Sequence, residues 1–325
     1  MPIRVSVIGY DLIGKRLADA VMRQKDMVVH EVYDDNPSRR EIVARNGFAL
    51  LSGSREHLDV GGDITVLCRD DCNVSGVPVV HGAHMRSIEG VLVSPLTSPD
   101  QLYQQACLRI ALPDTIALGR VLQAITPLAR IERLFSNTIV RVGHAAEPSD
   151  GSVDALEPLP EDPVMKRQVA EAFGGLLPRC RIRQVRAPYT HSHLHTLKLD
   201  LDRQIDCQQV LAALRGTPRV LLGAAAEGFA TTADIQEFFR NSTRSRGDHP
   251  ETFVWEESII TQGRQLMLMM NVCQESTSVL ETIDAIRLQQ ISADGSEAKR
   301  QTDEALDVEC LMQPTIRKQF TGGES

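Results

Sequence analysis

Residues 7–15 read VIGYDLIGK, and the reading of this turn decides the fold of the first third of the chain. An apolar strand runs into it and a helical pattern leaves it, the setting of the G-x-G-x-x-G turn that cradles a dinucleotide pyrophosphate. Gly9 and Gly14 stand where the first glycine makes the tight turn and the third lets the helix pack on the strand. The middle position holds Asp11, which places a carboxylate where two phosphate charges would sit at the helix N-terminus. Two readings follow. Either the turn persists as a fold element after the coenzyme has been lost, or Asp11 caps the helix and occupies the amides a phosphate would take. The candidate coenzyme contacts here are Gly9, Asp11, Leu12, Ile13 and Gly14, with Asp34, in Tyr33-Asp34-Asp35 at the end of the next apolar run, placed to meet a ribose hydroxyl. Acids at that place favour NAD over NADP. NAD(P) is therefore the expected cofactor class, on a weakened site.

Working outward, IRVSVIG is β-branched and apolar, and LIGKRLADAVMRQ carries apolar residues at near-helical spacing. MVVHEVYDD, SRREIVARNG and DITVLC continue the alternation as strand, helix and strand, with further strands at VPVVHG, GVLVSP and LRIAL. The βαβαβ order predicts a right-handed parallel sheet of Rossmann type. Only RDDCNVSG separates DITVLC from VPVVHG, too little chain for a covering helix. Beyond residue 112 long alternating runs take over, at NTIVRVGHA, CRIRQVRAPYTHSHLHTLKLDL and TFVWEESIITQGRQLMLMMNV, with helices at DCQQVLAALRG and TTADIQEFFRN. This pattern predicts an α+β domain with a mixed or antiparallel sheet. EPSDGSVDALEPLPEDP reads as an ordered surface excursion or a loop, LETIDAIRLQQ as an amphipathic helix, SADGSEAKRQTDEALDVECLMQ as a helix returning to the first domain, and TIRKQFTGGES as a frayed end. The expected division is a nucleotide-binding domain of residues 1–112 plus about 279–325, and a second domain of residues 113–278.

Composition removes several function classes. The 325 residues, 42% of them hydrophobic, suffice for two cores. A net charge of −8, with both signs interspersed, offers no basic stripe for nucleic acid or an anionic membrane. No apolar run approaches transmembrane length and no secretory leader is visible. Seven cysteines, an odd number, fit a reducing cytoplasm better than a disulfide framework.

Several stretches together resemble the archaeal-type, or type II, glyceraldehyde-3-phosphate dehydrogenases: VIGYDLIGKRLADAV (7–21), APYTHSHLHTLKLDL (187–201), GTPRVLL (216–222), EGFATTADIQEF (227–238), FVWEESI (253–259) and VCQESTSVLETIDAIR (272–287). The resemblance covers most of the chain and is densest after residue 187. It implies a Rossmann domain closed by the C-terminal helix, a catalytic α+β domain, a cytoplasmic location and a homo-oligomer, usually a tetramer, with a dimer as the smaller option. In the family a cysteine thiolate attacks the aldehyde and a histidine assists as base. The stretch corresponding to the nucleophile segment is RIALPDTIALGRVL (109–122), in which Pro113 takes the nucleophile's place. Proline has no group able to attack a carbonyl, and at a helix start it is structurally favourable. The resemblance further assigns His193 and His195 to the family's paired histidines, the second at the general-base position, and Gly82, Arg141 and Gln274 to approximate cofactor contacts. The histidines that help hold substrate phosphate have no counterpart in LPEDPVMKRQ.

Two other cysteines are weighed as substitutes, of which Cys107 is too distant and Cys273 is the minor option. Cys107 lies six residues before position 113, roughly 20 Å along an extended strand. Cys273 stands where the family has a histidine, beside Gln274. Two metal look-alikes are weighed against plainer readings. His191, His193 and His195 alternate as a strand face would, but the resemblance explains two of them without metal. Cys68, Cys72, His81 and His84 have a zinc-like count, yet cysteines near strand ends are ordinary buried residues. No resident metal is expected. The sequence thus points to a divergent family member without phosphorylating dehydrogenase activity, acting as a binding, scaffold or regulatory protein with a possible protein partner. The alternative is a repurposed NAD(P)-dependent oxidoreductase that transfers hydride directly, without a cysteine acyl-enzyme.

Overall fold

The computed structural model describes all residues except 84, 143–153, 175–178, 243, 245, 292–293 and 309–325. The chain divides into two compact units, residues 1–112 with 278–308, and residues 113–277.

The first unit opens with β1 (Ile3–Ile8), α1 (Leu12–Met22), β2 (Met27–Tyr33) and α2 (Pro37–Arg45). There follow β3 (Leu58–Asp59), β4 (Ile64–Leu67), β5 (Val74–Ser75), β6 (Val79–His81), β7 (Val91–Val93) and β8 (Cys107–Ile110). Six of these strands form one sheet in the order β2-β1-β4-β6-β8-β7, parallel throughout. β1 and β4 are buried almost end to end, as expected of parallel strands covered on both faces. α1 packs Leu17, Ala18, Ala20 and Val21 inward. Residues 68–78 contain no helix. The short parallel pair β3 and β5 occupies the connection instead, over a cluster of Ile8, Tyr33, Leu51, Leu58, Val60 and Leu67.

The second unit comprises α3 (Pro113–Ile125), β9 (Ile131–Arg141), β10 (Glu157–Leu159), α4 (Pro163–Phe173), β11 (Cys180–Ala187), β12 (His193–Leu201), α5 (Cys207–Arg215), β13 (Val220–Gly223), α6 (Thr232–Asn241), β14 (Thr252–Trp255), β15 (Ile260–Gln262) and β16 (Gln265–Val272). Its eight-stranded sheet runs β10-β11-β9-β12-β16-β14-β13, with β15 paired to β16. β11 with β9 and β13 with β14 are parallel, the other pairs antiparallel, so the sheet is mixed. α3 is buried along nearly its whole length, and Arg120, at 2% exposure, satisfies its guanidinium on the carbonyls of Pro250, Arg219 and Thr277. The last elements are α7 (Thr277–Gln290), which belongs to the first unit from Ser278 on, and α8 (Gly295–Ala305). Arg287 fixes both to the start of β2 through Asp26, Gln24, Thr302 and the carbonyl of Ala298.

Two expectations change in detail. The run 180–201 is two strands, not one: Pro188 lies in the interruption, and Ser192 adopts a left-handed backbone with φ of 51°. The surface excursion runs through β10 into α4, a helix that the sequence pattern did not assign. Asp162 caps it by accepting from the amides of Val164 and Met165, with Pro163 at its first position. Residues 147–153 of that excursion, and the frayed end at 315–325, lie outside the described residues.

Candidate active site

At the end of β1, Gly9 takes φ of 96°, a conformation in which a side chain would be strained. A Cβ on Gly14 would lie 1.8 Å from the carbonyl oxygen of Gly9, so only glycine lets α1 come this close to the turn. The first and third glycine roles are thus present in the backbone. The second is not. Asp11 is the helix cap: its Oδ1 accepts from the amides of Ile13 at 3.0 Å and Gly14 at 3.1 Å. Those are among the N–H groups that face an anion when a pyrophosphate sits on a helix N-terminus. Leu12 and Ile13 follow on the first turn, half-buried.

Asp34 has no accessible surface and both its oxygens are engaged. It accepts from the Tyr10 amide at 2.7 Å and the Asn36 amide at 2.9 Å, and Arg39 approaches to 3.6 Å. It ties the turn after β1 to the turn after β2 rather than facing outward to a ribose. Its neighbour Asp35 is the outward acid, and the hydrogen bond from Arg69 holds its carboxyl down at about 2 despite partial desolvation, with Arg55 adding to the effect. Gly82, just past β6, donates to the Leu67 carbonyl at 2.8 Å, and a Cβ there would stand 2.8 Å from that oxygen. As it stands, Asp11 supplies its own carboxylate to two of the amides that a pyrophosphate would take. Replacing Asp11 by glycine is expected to change fold stability by only a few tenths of a kcal/mol, since glycine is itself a tolerated cap. The same change is expected to tighten NAD or NADP binding at least ~10-fold, about 1.4 kcal/mol. Titration calorimetry of the two proteins side by side tests this, and equal affinities would reject the plugged-turn reading.

In the second unit a different constellation forms around α3. Pro113 is its first residue and fixes the helical φ without forfeiting a hydrogen bond. The next residue, Asp114, is buried with its carboxylate turned to β12. His193 and His195 are two apart on that strand and share a face. Asp114 Oδ1 accepts from His195 Nε2 at 2.7 Å and from Gln274 Nε2 at 2.9 Å. Its Oδ2 lies 3.1 Å from His193 Nδ1. Burial works to raise this carboxyl's pKa, but the two imidazoles and their hydrogen bonds outweigh it and hold the group well below the usual carboxylate range. The carboxylate is ionised and acts only as an acceptor.

The two histidines differ in what is left over. His195 is 1% exposed and uses both nitrogens, since its Nδ1 meets the Thr138 hydroxyl at 2.9 Å from the register-matched position on β9. His193 is less enclosed and directs only Nδ1 at Asp114. A carboxylate on Nδ1–H leaves Nε2 as the basic nitrogen. The nitrogen of the pair not turned to Asp114 is thus Nε2 of His193, whereas both nitrogens of His195, the residue expected at the general-base position, are engaged.

The other sequence-derived residues distribute unevenly. Gln274 joins the cluster. Arg141 forms an ion pair with Glu275 and does not contact Asp114 through any bond described. Cys273 is buried, and its thiol is pushed up to about 12, first by burial and then by Glu275, to which it donates at 3.6 Å. A thiol so shifted is protonated at neutral pH and is a poor nucleophile. Cys107, on β8 of the first unit, is also shifted upward by burial. His191 precedes β12 and turns to Thr190, so the histidine alternation does not extend to it. Of the zinc-like set, His84 lies outside the described residues, and Cys68, Cys72 and His81 fall into no metal-sized group among those described. Asp114 itself was missed, because an acid in the first turn of a helix is an ordinary sequence feature.

The chain is 30% identical over 350 residues to the glyceraldehyde-3-phosphate dehydrogenase of Methanocaldococcus jannaschii, covering 95% of this chain and 100% of the relative. The chain belongs to the glyceraldehyde-3-phosphate dehydrogenase family. Enzymes of the same name from Methanobrevibacter smithii and Saccharolobus islandicus are 27% and 26% identical, each over 94% of this chain and covering 99% and 98% of the relative. No family model matches. Among solved structures, aspartate semialdehyde dehydrogenase II from Vibrio cholerae, complexed with ASA, shares the fold of this family member. It has a TM-score of 0.63 at 13% identity, over 89% of this chain and 98% of that one. Among the described residues, no helix is long and apolar enough to cross a membrane.

Proposed function

We propose that this family member does not run the phosphorylating acyl-enzyme reaction and acts as a binding, scaffold or regulatory protein. The observation that carries the reading is Pro113 at the head of α3, directly before the carboxylate that engages both histidines. A thioester route needs a thiolate beside a base. Here the residue at the family nucleophile's position has no sulfur, and His195 has no nitrogen to spare. The thiol of Cys273 remains protonated far above neutral pH. The coenzyme turn, capped by Asp11, supports the same conclusion. Phosphate-dependent NAD(P)H formation from glyceraldehyde 3-phosphate is expected to be absent. A turnover in the ordinary enzymatic range, about 1 per second or faster, would overturn the proposal.

A second reading rests on the Asp114–His193 pair, which orients an imidazole for proton transfer at Nε2. An NAD(P)-dependent oxidoreductase without a covalent intermediate would use that group as its acid or base. Failure of both NAD and NADP to bind in calorimetry removes this option.

The expected assembly is a homo-oligomer, a tetramer or dimer. The face of the second sheet opposite the histidines carries Phe135 and Met269 at 42% and 41% exposure. Lys198 lies between Phe135 and Met267, and Thr196 lies beside Met269. Light scattering on a size-exclusion column should report a multiple of the chain mass, and a monomer would reject it. The cysteines among the described residues are all free, which suits the reducing cytoplasm proposed as the location. Cell fractionation checks that assignment.

A further inference from the structure

We infer that Asp114, His193 and His195 form a binding site for a divalent transition-metal ion of the zinc class, with Nδ1 of His193, Nε2 of His195 and a carboxylate oxygen of Asp114 as ligands. Among the described residues this is the one group of three or more ligating side chains whose donor atoms lie within 4.8 Å of one another. The proposal is independent of the function proposed above, because it concerns what the site holds and not whether a thioester forms.

The architecture is suited to a metal. A histidine pair two apart on a rigid strand sends both rings to one side of the sheet, and α3 delivers the third ligand from a fully buried helix start. Two imidazoles and one carboxylate are a borderline donor set, matched to zinc, cobalt, nickel or iron and not to calcium or magnesium. Tetrahedral coordination with bonds of about 2.0–2.2 Å sets neighbouring donor atoms roughly 3.3–3.6 Å apart. The contacts seen here, 2.7 Å for His195 and 3.1 Å for His193, reach that spacing if the side chains open by about half an ångström.

The surrounding shell is the kind that orients metal ligands. The Thr138 hydroxyl lies 2.9 Å from His195 Nδ1. A hydroxyl can donate or accept, so it serves either tautomer and leaves Nε2 to the ion. Gln274 Nε2 holds the carboxylate from a further side at 2.9 Å. Three protein ligands leave a fourth position open, and the His193 side chain, 14% exposed, marks the route by which an ion and a water or ligand enter. An ion there would take the nitrogens that now face Asp114, each ring proton moving to the opposite nitrogen, and uptake would displace water from the ion.

The test uses the full chain, stripped with a chelator and titrated with Zn²⁺ by calorimetry and with Co²⁺ by visible absorption. Wild-type protein is expected to bind about one equivalent and to give the d–d bands of a four-coordinate nitrogen and oxygen site. His193→Ala and His193→Gln are expected to lower affinity at least ~100-fold, in keeping with loss of a direct ligand. Either variant suffices, provided its circular dichroism and melting match wild type. Cys68→Ser/Cys72→Ser is expected to bind as wild type does. No uptake by the wild type would overturn the inference. Equal uptake by a folded His193 variant, or a sulfur charge-transfer band that vanishes in the cysteine variant, would overturn it too. None of these readouts depends on dehydrogenase activity.

Discussion

Asp114→Ala is expected to destabilise the protein by about 3–5 kcal/mol, measured by urea unfolding at neutral pH. The loss comes from what remains behind. His195 Nε2–H, His193 Nδ1–H and the Gln274 amide would all face a space with no acceptor, inside a site where His195 is 1% exposed. Asp114→Asn keeps one acceptor and is expected to cost less than half as much. The pH dependence separates charge from packing. Because the folded carboxyl lies well below its ordinary value, its stabilisation is fully present above the usual carboxylate range. It is lost as pH falls through the folded value. The stability gap between wild type and Asp114→Asn should therefore be widest near neutrality and shrink below about pH 4. A gap that stays constant down to pH 3 would mean the carboxylate is not ionised in the folded protein.

Arg244→Met is expected to have an effect of similar size, about 3–5 kcal/mol, because it strands the Glu251 carboxylate in the interior. The two side chains are 7% and 1% exposed and join through paired bonds of 2.6 and 2.7 Å. Replacing both partners, as Arg244→Met with Glu251→Leu, should recover most of the loss, since the penalty comes from an unmatched charge and not from absence of the pair. Additive losses in the double variant would refute that explanation. The consequence reaches the histidines. Arg244 and His249 both lie on the ring of Phe239, at 4.9 Å and 5.4 Å. His249 contacts Asn271 at 2.7 Å, and Asn271 donates to Ser192, whose left-handed backbone starts β12. A shifted imidazole signal from His193 in the NMR spectrum of Arg244→Met is the expected local readout.

Most strands, most helices and the mixed second sheet were legible because they rest on periodicity, which a short window of residues carries, whereas the short strands β3, β5 and β10 carry too few residues to show it. The cap role of Asp11 was legible as one of two readings, and the geometry of two amide bonds supports it. Asp34 was not legible in full. Its place at a strand end fits a ribose contact as well as a buried brace, and only the fold shows both oxygens already taken. Asp114 illustrates the general limit. Its partners are 79, 81 and 160 residues away along the chain, so nothing near it in sequence marks it. The break at Ser192 escaped for the opposite reason, since the residues on either side of it alternate as one strand would.

The carboxylate that closes the first helix has a consequence for how the molecule lives with its surroundings. In a dinucleotide-binding fold, an open helix end borrows its negative partner from solution, and melting temperature then follows nucleotide supply. This chain carries the partner covalently, two and three residues before the amides it satisfies. Those two amides are therefore satisfied without a nucleotide.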